Sequence, residues 1–275
     1  MEFGNWKNLG YATAAGPAIF RLEAHIDRLF KTAEFLDMEL PLSKEGLCQA
    51  VAETVKRNGL QNGLIKLICY YPEFSFEILP PRKPLSVSVF AFDAEQDLGK
   101  FGIPFETGTT AYVSNWRKLD PRTVPVEAKA AANYLNGMIA RAEAKKNGFE
   151  HAIMLDTGGF IAEGGTESVF LVKDNCLMTP ATGTVLKSIT RMSILEAAGE
   201  AGIECVEKQL KPELLVAADE MFVSSSPFKV LPVKQINDHK FDDAPGPLTR
   251  RIAELMAAVV GGNDSRFKGW LYRVE

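Results

Sequence analysis

The chain has 275 residues, enough for one large domain or two small ones, with 46% hydrophobic and 24% charged residues and a net charge of −4. That usage supports a sizeable core, and lysines and arginines scattered without a basic stripe exclude a nucleic-acid partner. No apolar run reaches the ~18 residues of a membrane span, and the opening MEFGNWKNLGYAT lacks the basic-then-apolar pattern of a signal peptide.

In chain order, RLEAHIDRLFKTAEFLDM carries apolar residues at Leu22, Ile26, Leu29, Phe30, Ala33 and Leu36, a helical period. KEGLCQAVAETVKRNGL predicts a second amphipathic helix, opened by Ser43 as N-cap and closed near Gly59. GLIKLICYY, FSFEILP and LSVSVFAF read as strands broken by prolines and glycine. The polar, glycine-containing segment 93–102 (DAEQDLGKFG) reads as a linker between a small domain, 1–92, and a larger one, 103–275.

Beyond the linker a long helix is expected from about Ala130 to Asn147. Successive strands follow over 151–180, turning at Gly158-Gly159, Gly164-Gly165 and Asp174-Asn175. The helix RMSILEAAGEAG then precedes the strands CVEKQL, EMFVSSS and KVLPVKQI. The last helix, PLTRRIAELMAAVV, stops at Gly261-Gly262. The pattern is α+β in both halves.

Hydride transfer, NTP hydrolysis and serine hydrolysis lose ground, because G-x-G-x-x-G, P-loop, HExxH and G-x-S-x-G motifs are absent. Cys48, Cys69, Cys176 and Cys205 form no CxxC pair and the three histidines no metal-ligand spacing, so reduced thiols of a cytoplasmic protein and no metal site are expected. What remains is a scattered set. Lys129 sits among Ala128, Ala130, Ala131 and Ala132, unlike the solvated Lys145 and Lys146. Ser188, Thr190 and Ser193 surround a helix start, where free amides and the dipole attract an anion; an ordinary N-cap is the plain alternative. FVSSSPFKV is a second hydroxyl cluster. Glu163 ends a strand beside two glycines, either solvated or aimed into a cleft. Arg28 has apolar residues around it on the first helix, with a surface ion pair to Asp27 or Glu34 as the plain alternative.

RLEAHIDRLF, VPVEAKAAANYLNGMIARAEAKKNGFEHAIMLDTGGFIAEGGTESVFLVKD, TPATGTVLKSITRMSILEAAGEAGIECVE, AADEMFVSSS and VLPV together resemble the class IV aminotransferases. These are the fold-type IV pyridoxal-phosphate enzymes: branched-chain and D-amino acid aminotransferases, and aminodeoxychorismate lyase. The resemblance runs from about Pro17 to GWLYRV and is strongest to the branched-chain members. It implies a small α/β N-terminal domain and a larger C-terminal domain with a β-barrel-like core. It implies pyridoxal 5′-phosphate as cofactor, a homodimer, and transfer of an amino group from a branched-chain or other apolar L-amino acid to a 2-oxo acid. The pyruvate-releasing lyase, D-amino acid transamination and a non-catalytic pyridoxal-phosphate-binding protein stay open as alternatives.

Residue by residue, the resemblance makes Lys129 the Schiff-base lysine and gives Tyr134 to the ring hydroxyl and Glu163 to the pyridine nitrogen. It gives Arg28, Ile189, Thr190, Ser225 and Ser226 to the 5′-phosphate. An amine attacks only as the free base, and a dry alanine-lined setting favours that form. Three stretches depart from the family. The small-domain Tyr-x-Arg pair is replaced by Leu64 and Lys66, leaving Lys66 and Tyr70 as substrate-side candidates without the bidentate fork. SSSPFK replaces a Gly-Thr-Ala loop, and the N-terminal YG.GvFEG run is altered in MEFGNWKNLGYAT.

Overall fold

A computed structural model describes residues 2–4, 17–79, 84–93, 97 and 105–274, the side chains of 2–4 and 62 excepted. The chain divides into two compact units, Met1–Phe101 with Ala257–Glu275, and Gly102–Met256.

In the first unit, strands β1 (Glu2–Gly4) and β2 (Ala18–Phe20) precede helices α1 (Leu22–Phe35) and α2 (Lys44–Arg57), then strands β3 (Asn62–Tyr70) and β4 (Ser86–Asp93). Ser43 caps α2, its hydroxyl accepting from Gly46 N at 3.1 Å. Leu22 and Ile26 of α1 bury one stripe against Leu47, Val51 and Val55 of α2 and Ile65 of β3. Each such side chain contributes about 1.5–3 kcal/mol of burial. Side chains alternate along a strand, so Ile65 and Leu67 face the helices while Lys66, Ile68 and Tyr70 share the other face.

The second unit runs β5 (Thr109–Val113), α3 (Tyr134–Lys146), β6 (His151–Leu155), β7 (Ile161–Gly164), β8 (Ser168–Lys173), β9 (Cys176–Pro180) and α4 (Ile189–Glu200). It continues with β10 (Cys205–Lys208), α5 (Leu214–Ala217), β11 (Glu220–Ser224), β12 (Leu231–Ile236), β13 (His239–Lys240) and α6 (Pro247–Val260), whose residues from Ala257 on fall in the first unit. The sheet order is β10-β9-β8-β11-β12-β5-β6-β7, with β13 on β12. The order forces the sheet to curl. β7 and β8 stand five places apart, about 24 Å in a flat sheet at ~4.8 Å per strand. Only residues 165–167 join them, a reach of at most about 14 Å. The curled strands enclose Ile153, Ile161, Val169, Leu171, Val223 and Val233, all buried.

Two expectations change, and a third lies outside the described residues. Residues 74–79 of the FSFEILP run form no strand: Phe76 is 93% and Ile78 100% exposed, and no described strand pairs with them to give the run a ladder or a face to bury. The closing segment 257–275, read from sequence with the larger domain, belongs to the first unit, because β14 (Leu271–Arg273) adds antiparallel to β2. The altered N-terminal run falls mainly at 1 and 5–16, outside the described residues, as does most of the 93–102 linker.

Candidate active site

Four stretches of the second unit carry the candidate residues. The first is the loop before α3. Asn133 donates from Nδ2 to the Ala128 and Pro125 carbonyls at 3.1 and 3.3 Å, pinning the backbone on either side of Glu127. Lys129, next along, donates from Nζ to the Tyr134 hydroxyl and lies 5.0 Å from that ring's centroid. Both residues are exposed, and so are Ala131 and Ala132. The expected dry alanine lining holds only in part: Ala128 is buried and Ala130 half-buried, whereas residues 131–133 form a single 3-10 turn that leaves the Ala131 and Ala132 methyls at the surface.

The second stretch is the end of β7. Glu163 is only 9% exposed. Its Oε1 pairs with Lys118 Nζ at 2.5 Å, and its Oε2 accepts from Leu186 N at 3.2 Å. Burial pushes the carboxyl upward, opposed by Lys118, by the Leu186 amide and, more weakly, by the field of Lys129. Lys129 and Glu163 thus lie within electrostatic reach of each other.

The third stretch, 181–188, leads into α4. Ser188 is the N-cap, its hydroxyl accepting from Arg191 N at 3.3 Å, so the plain reading of this serine holds. Ile189 and Thr190 follow as the first buried helical residues. Arg191, fully buried, donates to Thr179 Oγ1, the Pro180 carbonyl and Glu207 Oε2 at 3.3, 2.6 and 2.5 Å, tying the helix start to β9 and β10. First-turn amides have no intrahelical acceptor, so this end of α4 suits an anion.

The fourth is the serine loop after β11. Ser225 N donates to the Phe228 carbonyl at 3.1 Å and Lys229 Nζ to the Ser226 carbonyl at 2.9 Å, closing the loop on itself. Burial of the Lys229 amine pushes its pKa down to about 7.

Backbone contact sets the spacing of the first two stretches. A Cβ on Gly137 of α3 would fall 2.0 Å from the Gly165 carbonyl oxygen, so helix and β7–β8 turn meet main chain to main chain. Glu167 secures that turn: it accepts from Thr166 N at 2.9 Å, Thr166 Oγ1 at 2.8 Å, His151 Nδ1 at 3.2 Å and Arg141 of α3 at 3.3 Å.

Of the sequence candidates, Lys129, Tyr134, Glu163, Ile189, Thr190, Ser225 and Ser226 lie in the second unit. Arg28, Lys66 and Tyr70 lie in the first. Arg28 is half-buried on α1, 3.4 Å from His25 Nδ1. Lys66 and Tyr70 are exposed on one face of β3, with the Tyr70 hydroxyl 3.3 Å from Ser88 Oγ. Sequence reasoning missed Lys118. Nothing in NWRKLD sets it apart from a surface lysine, and its partner stands far along the chain.

The family model described as "Amino-transferase class IV" matches residues 12–236. The chain belongs to the class IV aminotransferases. The branched-chain-amino-acid aminotransferase of Escherichia coli K12 is 33% identical over 268 residues, covering 96% of this chain and 86% of that one. The T.th. branched-chain amino acid aminotransferase complexed with N-(5′-phosphopyridoxyl)-L-glutamate superposes with a TM-score of 0.90 at 30% identity, over 100% of this chain and 87% of that one. The enzyme of Thermoproteus uzoniensis with norvaline gives a TM-score of 0.90 at 31% identity, over 100% and 88%. As a class IV aminotransferase the chain is a pyridoxal-phosphate-dependent enzyme with amino acid and 2-oxo acid substrates, and its two-domain α+β fold with a half-barrel sheet is the family's.

Proposed function

We propose that this class IV aminotransferase moves an amino group between branched-chain or other apolar L-amino acids and 2-oxo acids, with Lys129 as the reacting amine. The juxtaposition of the Lys129–Tyr134 pair with the buried carboxylate of Glu163 carries the reading. The residues fit the cofactor. A carboxylate offers about four lone-pair positions, and Glu163 uses two, leaving acceptor capacity for a ring N–H. When bound, pyridoxal phosphate supplies the electron sink for the carbanion formed at the substrate Cα.

The chain's own groups do the rest. Lys129 Nζ is reachable from solvent and removes the proton at Cα as general base. The Tyr134 hydroxyl accepts from that amine, orienting it, and keeps its own proton to donate to the ring oxygen. Ile189 and Thr190 amides, with the Ser225 and Ser226 hydroxyls, hold the phosphate by charge-assisted hydrogen bonds. The family resemblance, rather than any arrangement of the two units, assigns Arg28 to the phosphate and Lys66 and Tyr70 to the substrate side. It also supports a homodimer and a cytoplasmic setting. Four free cysteines among the described residues suit the latter, and no described helix is long and apolar enough to cross a membrane.

The test is a half-reaction screen that follows cofactor absorbance against a panel of L- and D-amino acids. Conversion with L-valine, L-leucine and L-isoleucine is expected. Conversion by D-amino acids alone, or pyruvate release from aminodeoxychorismate without an acceptor, overturns the reading; no conversion with any amino acid leaves a non-catalytic binder.

A further inference from the structure

We propose that Lys118 is a positioning residue for Glu163, a buried counter-cation that keeps the carboxylate anionic and aimed so that the cofactor's ring nitrogen meets a charge and not a carboxylic acid. The proposal rests on assigning Glu163 to that nitrogen.

A lysine turned inward from an exposed segment is costly and calls for a cause. Trp116 and Arg117 beside it are exposed, yet Lys118 is 8% exposed, and both partners of the Lys118–Glu163 pair are nearly closed to solvent. The segment is also held from two sides. Lys118 N donates to the Leu155 carbonyl of β6 at 2.8 Å. Asn136 of α3 accepts from Leu119 N at 3.2 Å and donates to the Arg117 carbonyl at 2.9 Å. Three consecutive residues are thereby fixed to the helix that follows Lys129 and to the strand beside Glu163.

The other charges facing Glu163 cannot replace this one. Lys129 acts on it more weakly and is engaged with the Tyr134 hydroxyl. Arg191 borders the same small cleft as Glu163, Ser168 and Thr179, but its guanidinium is committed to Glu207, Thr179 and the Pro180 carbonyl. Glu167 closes the following turn and is taken up by His151, Thr166 and Arg141. Burial alone would favour the neutral acid at Glu163. Lys118 opposes that at Oε1 and leaves acceptor capacity for the ring N–H. Neutralising Lys118 therefore leaves burial less opposed and raises the carboxyl's affinity for a proton.

The test uses the holoenzyme and the cofactor-free full-length chain. Cofactor absorbance is titrated from pH 5 to 9 in the unaltered protein, Lys118→Arg, Lys118→Met and Glu163→Gln. In parallel the Glu163 carboxyl is titrated by carbon-13 NMR in the cofactor-free chain. Lys118→Met is expected to raise the carboxyl's midpoint by about one pH unit or more, roughly tenfold in proton affinity, and to move the absorbance profile with it. Lys118→Arg should leave both within a few tenths. Should Lys118→Met fail to accumulate, Lys118→Gln, a donor without charge, gives the same reading. A carboxyl midpoint unmoved by Lys118→Met or Lys118→Gln, with Glu163→Gln still altering the absorbance profile, overturns the role of Lys118 alone. An absorbance profile indifferent to Glu163→Gln overturns the assignment of Glu163, and the proposal with it.

Discussion

Gly137→Ala is the sharpest perturbation of the site that touches none of its reacting groups. The new methyl carbon would sit 2.0 Å from the Gly165 carbonyl oxygen and 2.8 and 3.0 Å from that residue's C and Cα. A carbon–oxygen contact settles near about 3.3 Å, so α3 and the β7–β8 turn must part by about 1.3 Å. Both sides are main chain, leaving no flexible side chain to yield, and a Cβ on Gly165 would in turn fall 3.0 Å from the Gly137 carbonyl oxygen. Overpacking of this kind costs about 1–3 kcal/mol. The displacement lies between Tyr134, three residues before Gly137, and Glu163, two residues before Gly165. A 1 Å misplacement of reacting groups costs on the order of 100-fold in rate. Differential scanning calorimetry reads the stability loss, and single-turnover absorbance with L-leucine reads the chemistry. An alanine variant with unchanged melting temperature and rate would refute the claim that this backbone contact sets the site's spacing.

Two further outcomes are expected. Lys229 has a pKa lowered from 10.5 to about 7, so the folded chain binds fewer protons than the unfolded chain between those values, and stability falls as pH drops through that window. Lys229→Met should therefore stabilise by on the order of 2–4 kcal/mol near pH 6 and hardly at all above pH 10, measured by thermal melts across pH; equal gains at both ends would contradict it. Glu220 on β11 accepts from Leu248 N at 2.9 Å and Thr249 N at 2.7 Å, capping α6 from a distant strand. Glu220→Ala should cost about 1–2 kcal/mol in urea unfolding, and no loss would show the cap to be idle.

Local signals carried most of the elements. Ser43 before an amphipathic run gave the start of α2, and Pro247 with Gly261-Gly262 bracketed α6. Asp174 and Asn175 adopt positive φ of 50° and 61°, the conformation a tight β8–β9 hairpin requires. Phe74–Leu79 misled because apolar β-formers are only half of a strand; the other half is a partner ladder, which sequence periodicity does not report. The site divides along the same line. Lys129, Tyr134, Glu163 and the start of α4 became candidates through motif order. Lys118, the Glu220 cap and the Gly137–Gly165 contact were not, since each depends on residues brought together only by the curl of the sheet. Gly137 did carry a trace, as a glycine inside an otherwise helical run.

Lys129 as the amine that reacts with the cofactor is the central claim, and reductive trapping tests it most directly. Borohydride reduction of the holoenzyme, followed by digestion and mass spectrometry, should place the pyridoxyl group on the peptide containing Lys129 and on no other. A label on Lys118, on Lys229 or on any other lysine, or no label at all, would contradict it.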